Sequence, residues 1–141
     1  MRRIRLSDVQ GHQLFLKWLL INVVYLLALV TGMVMYNGKV EIPGKLAIGL
    51  VLVVYGLASL HAGWLAWKED KSGIHHTSFA IELAPKIAML GTVGGFLIAF
   101  SAASGDLQQR AIGASTGLAA TFVGISVMVV LEIIRHVLEN D

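Results

Sequence analysis

Residues Ala84–Phe100 read APKIAMLGTVGGFLIAF. Apart from Lys86 near its start the stretch carries no charge, and it is apolar enough to form the body of a membrane-spanning helix. Its middle is unusual for such a helix. Gly91, Thr92, Gly94 and Gly95 stand where bulky aliphatic side chains would be the ordinary filling. Glycine weakens a helix by about 1 kcal/mol relative to alanine, and a hydroxyl in hydrocarbon needs a partner. Residues this unfavourable at the centre of a span point to the close approach of another helix, or to a polar contact made there.

Outward from this stretch the chain keeps the same character. Of its 141 residues 56% are hydrophobic and 14% charged, against about 45–50% and about 25% in soluble domains. The opening stretch lies within an apolar run, Ile81–Ala103, and three more runs stand out at Leu14–Tyr36, Leu46–Trp67 and Ala111–Ile134. Each suits the roughly 20 residues a helix needs to cross about 30 Å of hydrocarbon. Helices are the economical choice, since lipid offers no partners to open backbone groups. Asn37-Gly38 and Pro43-Gly44 read as breaks between the first two runs. KEDKSGIHHTS separates the second run from the third, and SGDLQQR the third from the fourth. No connection is long enough to hold a folded soluble domain. The expectation is an all-α membrane protein forming a single transmembrane domain over 1–141, with four transmembrane helices near 14–36, 46–67, 83–103 and 111–134.

Lysine and arginine near the span ends set orientation. Arg2, Arg3, Arg5, Lys17, Lys68, Lys71, Lys86 and Arg135 make eight on one side, against Lys39, Lys45 and Arg110 on the other. Both termini are therefore expected in the cytoplasm. Trp18, Tyr36, Trp64 and Trp67 sit near run ends as interface anchors should. The first run is too long for a signal peptide and reads as a retained helix. The basic segment Met1–His12 reads either as lying along the headgroups or as a frayed tail.

Several chemistries are excluded by what is missing. There is no cysteine, so disulfide, thiol and cysteine-zinc chemistry are out. A net charge of +2 gives no case for nucleic-acid binding. No phosphate-binding G-x-x-x-x-G-K-[ST] or zinc-protease H-E-x-x-H pattern occurs. The chain does not read as an enzyme and implies no cofactor. His61 lies two-thirds along the second run, where a packing role competes with a ligand role; His75 and His76 fall in a connection, and His136 at a helix end.

Small residues recur on two helices. In the third run Ala88, Gly91 or Thr92, Gly95, Ala99 and Ala102 repeat every three or four residues; in the fourth, Gly113, Gly117, Ala120, Thr121 and Gly124 do the same. The second run carries Gly49, Gly56 and Gly63 at intervals of seven. Such stripes let backbones meet, because helices in lipid associate by packing and not by expelling water. Thr92 lies nine residues beyond Leu83, roughly 14 Å along a helix, and Thr121 fourteen before Arg135, roughly 21 Å from the same side. Both fall near mid-membrane. Either threonine can return its proton to a carbonyl one turn back, or offer its oxygen to a partner. No ionisable residue occupies that depth, although such a group is the usual mark of an ion path. If the chain moves ions, another polypeptide supplies the group that carries them.

The third and fourth runs together resemble the MotA/TolQ/ExbB proton-channel family. Ala84, Pro85, Leu90, Gly91, Thr92, Val93, Gly95, Ala99 and Phe100 fit its A-P-x-x-x-x-L-G-T-V-x-G-x-x-x-A-F signature. Gly113, Leu118, Ala120, Thr121 and Gly124 fit its last helix, where the family often has a glutamate in place of Thr116. The resemblance implies a homopentamer in the bacterial inner membrane around the transmembrane helices of a MotB/TolR/ExbD-type single-span partner. That partner would supply a membrane aspartate, and proton or sodium flow past it would drive mechanical work. Thr92, Thr121 and Thr116 would line the ion pathway; Gly91, Gly95, Ala99, Gly113, Gly117 and Gly124 would pack helices. The fifteen or so residues between Trp67 and Leu83 leave little surface for a large cytoplasmic rotor, which argues against a flagellar role. A holin-like or scaffold oligomer using the same glycine faces is the alternative, and a small transporter or haem protein built on His61 a third.

Overall fold

A computed structural model describes residues 6–68, 72–102 and 105–140, with side chains from His12 onward. Arg2, Arg3, Arg5 and Lys71, half of the eight basic residues on the expected cytoplasmic side, lie outside the described residues, as do the side chains of the basic N-terminal segment before His12. Four α-helices follow in order: α1 Leu6–Met35, α2 Ile42–Lys68, α3 His75–Ser101 and α4 Leu107–Asn140. Each contains a segment long and apolar enough to cross a membrane.

Every helix begins before the apolar run that announces it, and for the last three the reason is visible at the start. Pro43-Gly44 does not break the chain; it sits in the first turn of α2, where proline needs no N–H partner and its fixed φ suits a helix start. His75 and His76 are not in a loop but open α3. Asp106 caps α4: its Oδ1 accepts from Gln109 N at 3.0 Å, so LQQR belongs to the helix and not to the connection. The 34 residues of α4 reach about 51 Å at 1.5 Å per residue, well beyond the hydrocarbon. Pro85 stands inside α3, where its missing N–H leaves the carbonyl one turn back without its usual donor.

The closest pair of helices is α3 with α4, and α2 packs across both. The α3–α4 seam is made by missing side chains. A Cβ on Gly95 would fall 2.5 Å from Gly113 O and 2.6 Å from Gly117 N, and one on Gly113 would meet Ala99 N at 2.5 Å. A Cβ on Gly124 would collide with that of Ala88, and one on Gly91 would meet both Ala47 of α2 and Ala120 of α4. Backbones this close gain dispersion contacts that bulkier residues would forbid. The stripe of α2 behaves differently. Nothing lies within 4 Å of a Cβ at Gly49 or Gly56, and only Gly63 receives a neighbour, the indole of Trp18. Below the seam the core fills with Val51, Ala84, Val127, Leu131 and Ile134, all nearly inaccessible.

Helix α1 leans on α2 and the edge of α4 and is joined to them by polar contacts that hydropathy does not reveal. Asn22 is buried. Its Nδ2 donates to Trp18 O at 2.7 Å, while its Oδ1 accepts from Tyr55 Oη and, at 2.5 Å, from Ser59 Oγ. Tyr25 packs edge-on against Tyr55 at 5.1 Å and shares a 2.9 Å hydrogen bond with Ser126 of α4. Trp18, expected as an interface anchor, also makes an internal contact: its Nε1 donates to Ser59 O at 2.9 Å. Trp64 and Trp67 do remain exposed, with the Lys68 ammonium 4.2 Å above the Trp64 ring.

Candidate functional site

Two threonines meet across the seam that the glycines make. Thr92 of α3 and Thr121 of α4 hold their Oγ1 atoms 2.6 Å apart. Each is also close to the carbonyl one turn back on its own helix: Thr92 Oγ1 lies 3.1 Å from Ala88 O, and Thr121 Oγ1 3.0 Å from Gly117 O. The back-bonding reading open at the level of sequence is seen for both threonines, and each hydroxyl also meets the other within the chain. Gly117 makes room for it, since a Cβ there would sit 3.4 Å from Thr92 O.

Counting protons shows what the pair can do. Each hydroxyl has one proton and two lone pairs. At 2.6 Å one threonine donates to the other, which passes its own proton to its helix carbonyl. The first oxygen then keeps both lone pairs unused. The pair can accept a hydrogen bond from a protonated acid. By swinging one hydroxyl off its neighbour it can instead donate to the ionised form. Both threonines are only half-buried. At helical spacing Met89 and Phe96 flank Thr92, and Leu118 and Ile125 flank Thr121; all four of these neighbours are exposed and apolar.

Thr116, the third expected pathway residue, is elsewhere. It is 0% exposed. Its Oγ1 donates to Ile112 O at 2.8 Å and accepts from Glu41 N at 3.0 Å. Its methyl is packed so tightly that a Cβ on Gly44 would fall 2.6 Å from it. Within the subunit Thr116 pegs the start of α2 onto α4, and its hydroxyl has no surface to present. Gly91, Gly95, Ala99, Gly113, Gly117 and Gly124 all fall on the seam around the threonine pair.

The histidines come closer together than their sequence positions suggest. The rings of His61 and His76 stand 5.3 Å apart, edge to face, and His75 lies 4.2 Å from His76. His61 Nδ1 is buried without a hydrogen-bond partner in the structure. Among the described residues no three His, Asp or Glu side chains form a group suited to a metal ion. Helical spacing does place Glu132 on the strip of α4 that carries Thr121, eleven residues away, where it is exposed. A sequence reading aimed at mid-membrane groups passes over it.

These features define a multi-pass helical membrane protein whose tightest helix pair holds a hydrogen-bonded hydroxyl couple in an otherwise apolar face. Residues 66–141 match the MotA/TolQ/ExbB proton channel family. The match covers the end of α2, the turn and all of α3 and α4, more than half of the chain, and the chain belongs to that family. No curated protein and no solved structure matches it.

Proposed function

We propose that this protein is the channel-forming subunit of a proton- or sodium-driven motor in the bacterial inner membrane. Several copies, five by family resemblance, surround the transmembrane helices of a single-span partner of the MotB/TolR/ExbD type. The partner's membrane aspartate carries the ion, and Thr92 and Thr121 receive it. The observation that carries this reading is the 2.6 Å hydroxyl couple, half-exposed and flanked by apolar side chains. Such a couple serves a carboxyl group in both of its protonation states, which is what a site must do if an acid is to bind a proton, move and release it.

The distribution of Lys and Arg supports a cytoplasmic location for both termini and for the α2–α3 turn. An even number of spans is consistent with the two ends sharing a side. Ion movement then runs along the strip from the α4 start, past Thr121, towards Glu132. Thr116 is left out of the pathway, because a hydroxyl enclosed inside one subunit cannot meet a partner's side chain.

The test uses the protein co-expressed with a single-span protein that has an aspartate in its apolar segment. The assembly is imaged and reconstituted into vesicles, with ion flux followed under a proton or sodium gradient. Replacing both threonines by valine keeps shape and removes the hydroxyls. Assembly without flux is the expected outcome. Full flux in the double variant, or a central space with both hydroxyls turned away from it, overturns the reading.

A further inference from the structure

A second feature of the surface adjoins the proposed ion path at Leu118 and is otherwise built from other residues. At the end of the molecule opposite the α2–α3 turn, α1 and α4 part and leave a lateral groove of about 900 Å³. Its walls are apolar: Leu29 and Met33 on α1, Ile48 on α2, and Leu118 and Phe122 on α4. Its depth comes from absent side chains, since nothing lies within 4 Å of a Cβ at Gly32, and Ala119 is the facing residue on α4. From Leu29 to Tyr36 the groove follows α1 for about 10 Å at 1.5 Å per residue, downward from the end of the span.

The rim has a different chemistry from the walls. Lys39, Glu41 and Lys45 line it, giving two ammonium groups and one carboxylate at the point where a spanning helix meets water. The segment that carries them is fixed. Tyr36 Oη donates to Ser115 O at 2.7 Å, Ser115 Oγ donates to Lys39 O, and Glu41 N donates to Thr116 Oγ1 at 3.0 Å. Two consecutive residues of α4 therefore hold the whole α1–α2 connection as a roof over the groove.

We propose that this groove binds a membrane glycerophospholipid, with the phosphate between Lys39 and Lys45 and one acyl chain between α1 and α4 over Gly32 and Ala119. The charge arrangement selects this occupant. An apolar slot that ends at two lysines matches a molecule with an acyl tail and an anionic phosphate. A helix from a second copy would bring apolar side chains, which leave the excess of two ammonium groups over one carboxylate unbalanced. Glu41 gives a head-group ammonium a partner as well.

The experiment is native mass spectrometry of the assembled protein released from nanodiscs of mixed phosphatidylethanolamine and phosphatidylglycerol, with inorganic phosphate as a separate probe. Wild type is expected to retain one phospholipid per chain. Ala119→Trp, which fills the slot, is expected to abolish retention. Lys39→Gln with Lys45→Gln is expected to lower it about tenfold, the loss of roughly 1.4 kcal/mol. A photoactivatable acyl chain is expected to label residues of α1 and α4 that line the slot. Inorganic phosphate at millimolar concentration is expected not to displace the lipid. Unchanged retention in the assembled Ala119→Trp and double-lysine variants, or no retained lipid in wild type, overturns the proposal. So does a Met33→Cys variant that forms disulfides between copies while binding no lipid. None of these measurements depends on ion flux, so the lipid site and the ion path succeed or fail separately.

Discussion

Gly95 of α3 lies so close to Gly113 of α4 that a Cβ on Gly95 would fall 2.5 Å from the Gly113 carbonyl oxygen. The obstacle is backbone, which cannot rotate aside as a side chain can. Gly95→Ala must therefore push the two helices apart along the seam that also positions Thr92 and Thr121. We expect a loss of about 1–3 kcal/mol, the usual range for overpacking, less the small gain in helix propensity. Gly56→Ala is the matching control, since nothing lies within 4 Å of its Cβ. It should be neutral or stabilising by up to about 1 kcal/mol. Thermal unfolding of both variants in one detergent decides the point: equal behaviour would mean that the seam is not tight.

The hydroxyl couple makes a graded prediction. Thr92→Ser and Thr121→Ser keep an oxygen at the 2.6 Å contact and should retain most ion flux. Thr92→Val and Thr121→Val should each lose it, because the hydroxyl left behind donates to its own helix carbonyl and must break that bond to serve the anion. The two valine changes should not add, since either one dismantles the couple. Flux measured on the four single variants and the double valine variant tests this. Additive partial losses would indicate two independent polar contacts in place of a couple.

The polar clamp on α1 gives an ordering of stabilities. Asn22 Oδ1 receives both Tyr55 Oη and Ser59 Oγ. Asn22→Leu takes the shared acceptor from two buried hydroxyls, and each such loss costs about 1–3 kcal/mol where no substitute partner exists. Tyr55→Phe removes a single bond and leaves Ser59 satisfied, for about 0.6 kcal/mol by the average of interhelical bonds in lipid. Asn22→Leu should therefore release α1 at a clearly lower temperature than Tyr55→Phe. Protease accessibility of α1 in a thermal series would measure it, and the reverse order would sink the network as described.

How much of this was legible beforehand follows from the physics of each feature. The four helices were, because hydrocarbon forces the backbone to satisfy itself and so marks every span with an apolar run. Seam residues such as Gly95 and Gly113 were, because the only use of small side chains at that spacing in lipid is close approach. The outer turns were not: Asp106 and Pro43 set helix starts in polar sequence, where hydropathy is silent. The Asn22–Tyr55 bond joins residues 33 apart in the chain, and His61 meets His76 from a different helix. Those pairings depend on how the helices are turned about their axes, which one sequence does not state. The same rotation decides the fate of Thr116.

Thr116 stands at the position where the family resemblance leads one to expect a pathway glutamate, and it is wholly enclosed between α4 and the start of α2. Its hydroxyl serves the backbone on both sides, donating to Ile112 O and accepting from Glu41 N. Thr116→Val preserves the packed methyl and strands the Glu41 N–H, so it should lower stability by about 1–3 kcal/mol. It should leave flux per assembled channel unchanged. Thr116→Glu has no room, since Gly44 already lies against the threonine methyl; it should prevent assembly and not alter conduction. The contrast with Thr121→Val, which should spare stability and remove flux, separates a structural hydroxyl from a pathway one. Both quantities are measurable on the same preparations, by melting and by flux normalised to assembled protein. A valine at 116 that melts like wild type but fails to conduct would return this residue to the ion path and require α2 to sit differently against α4.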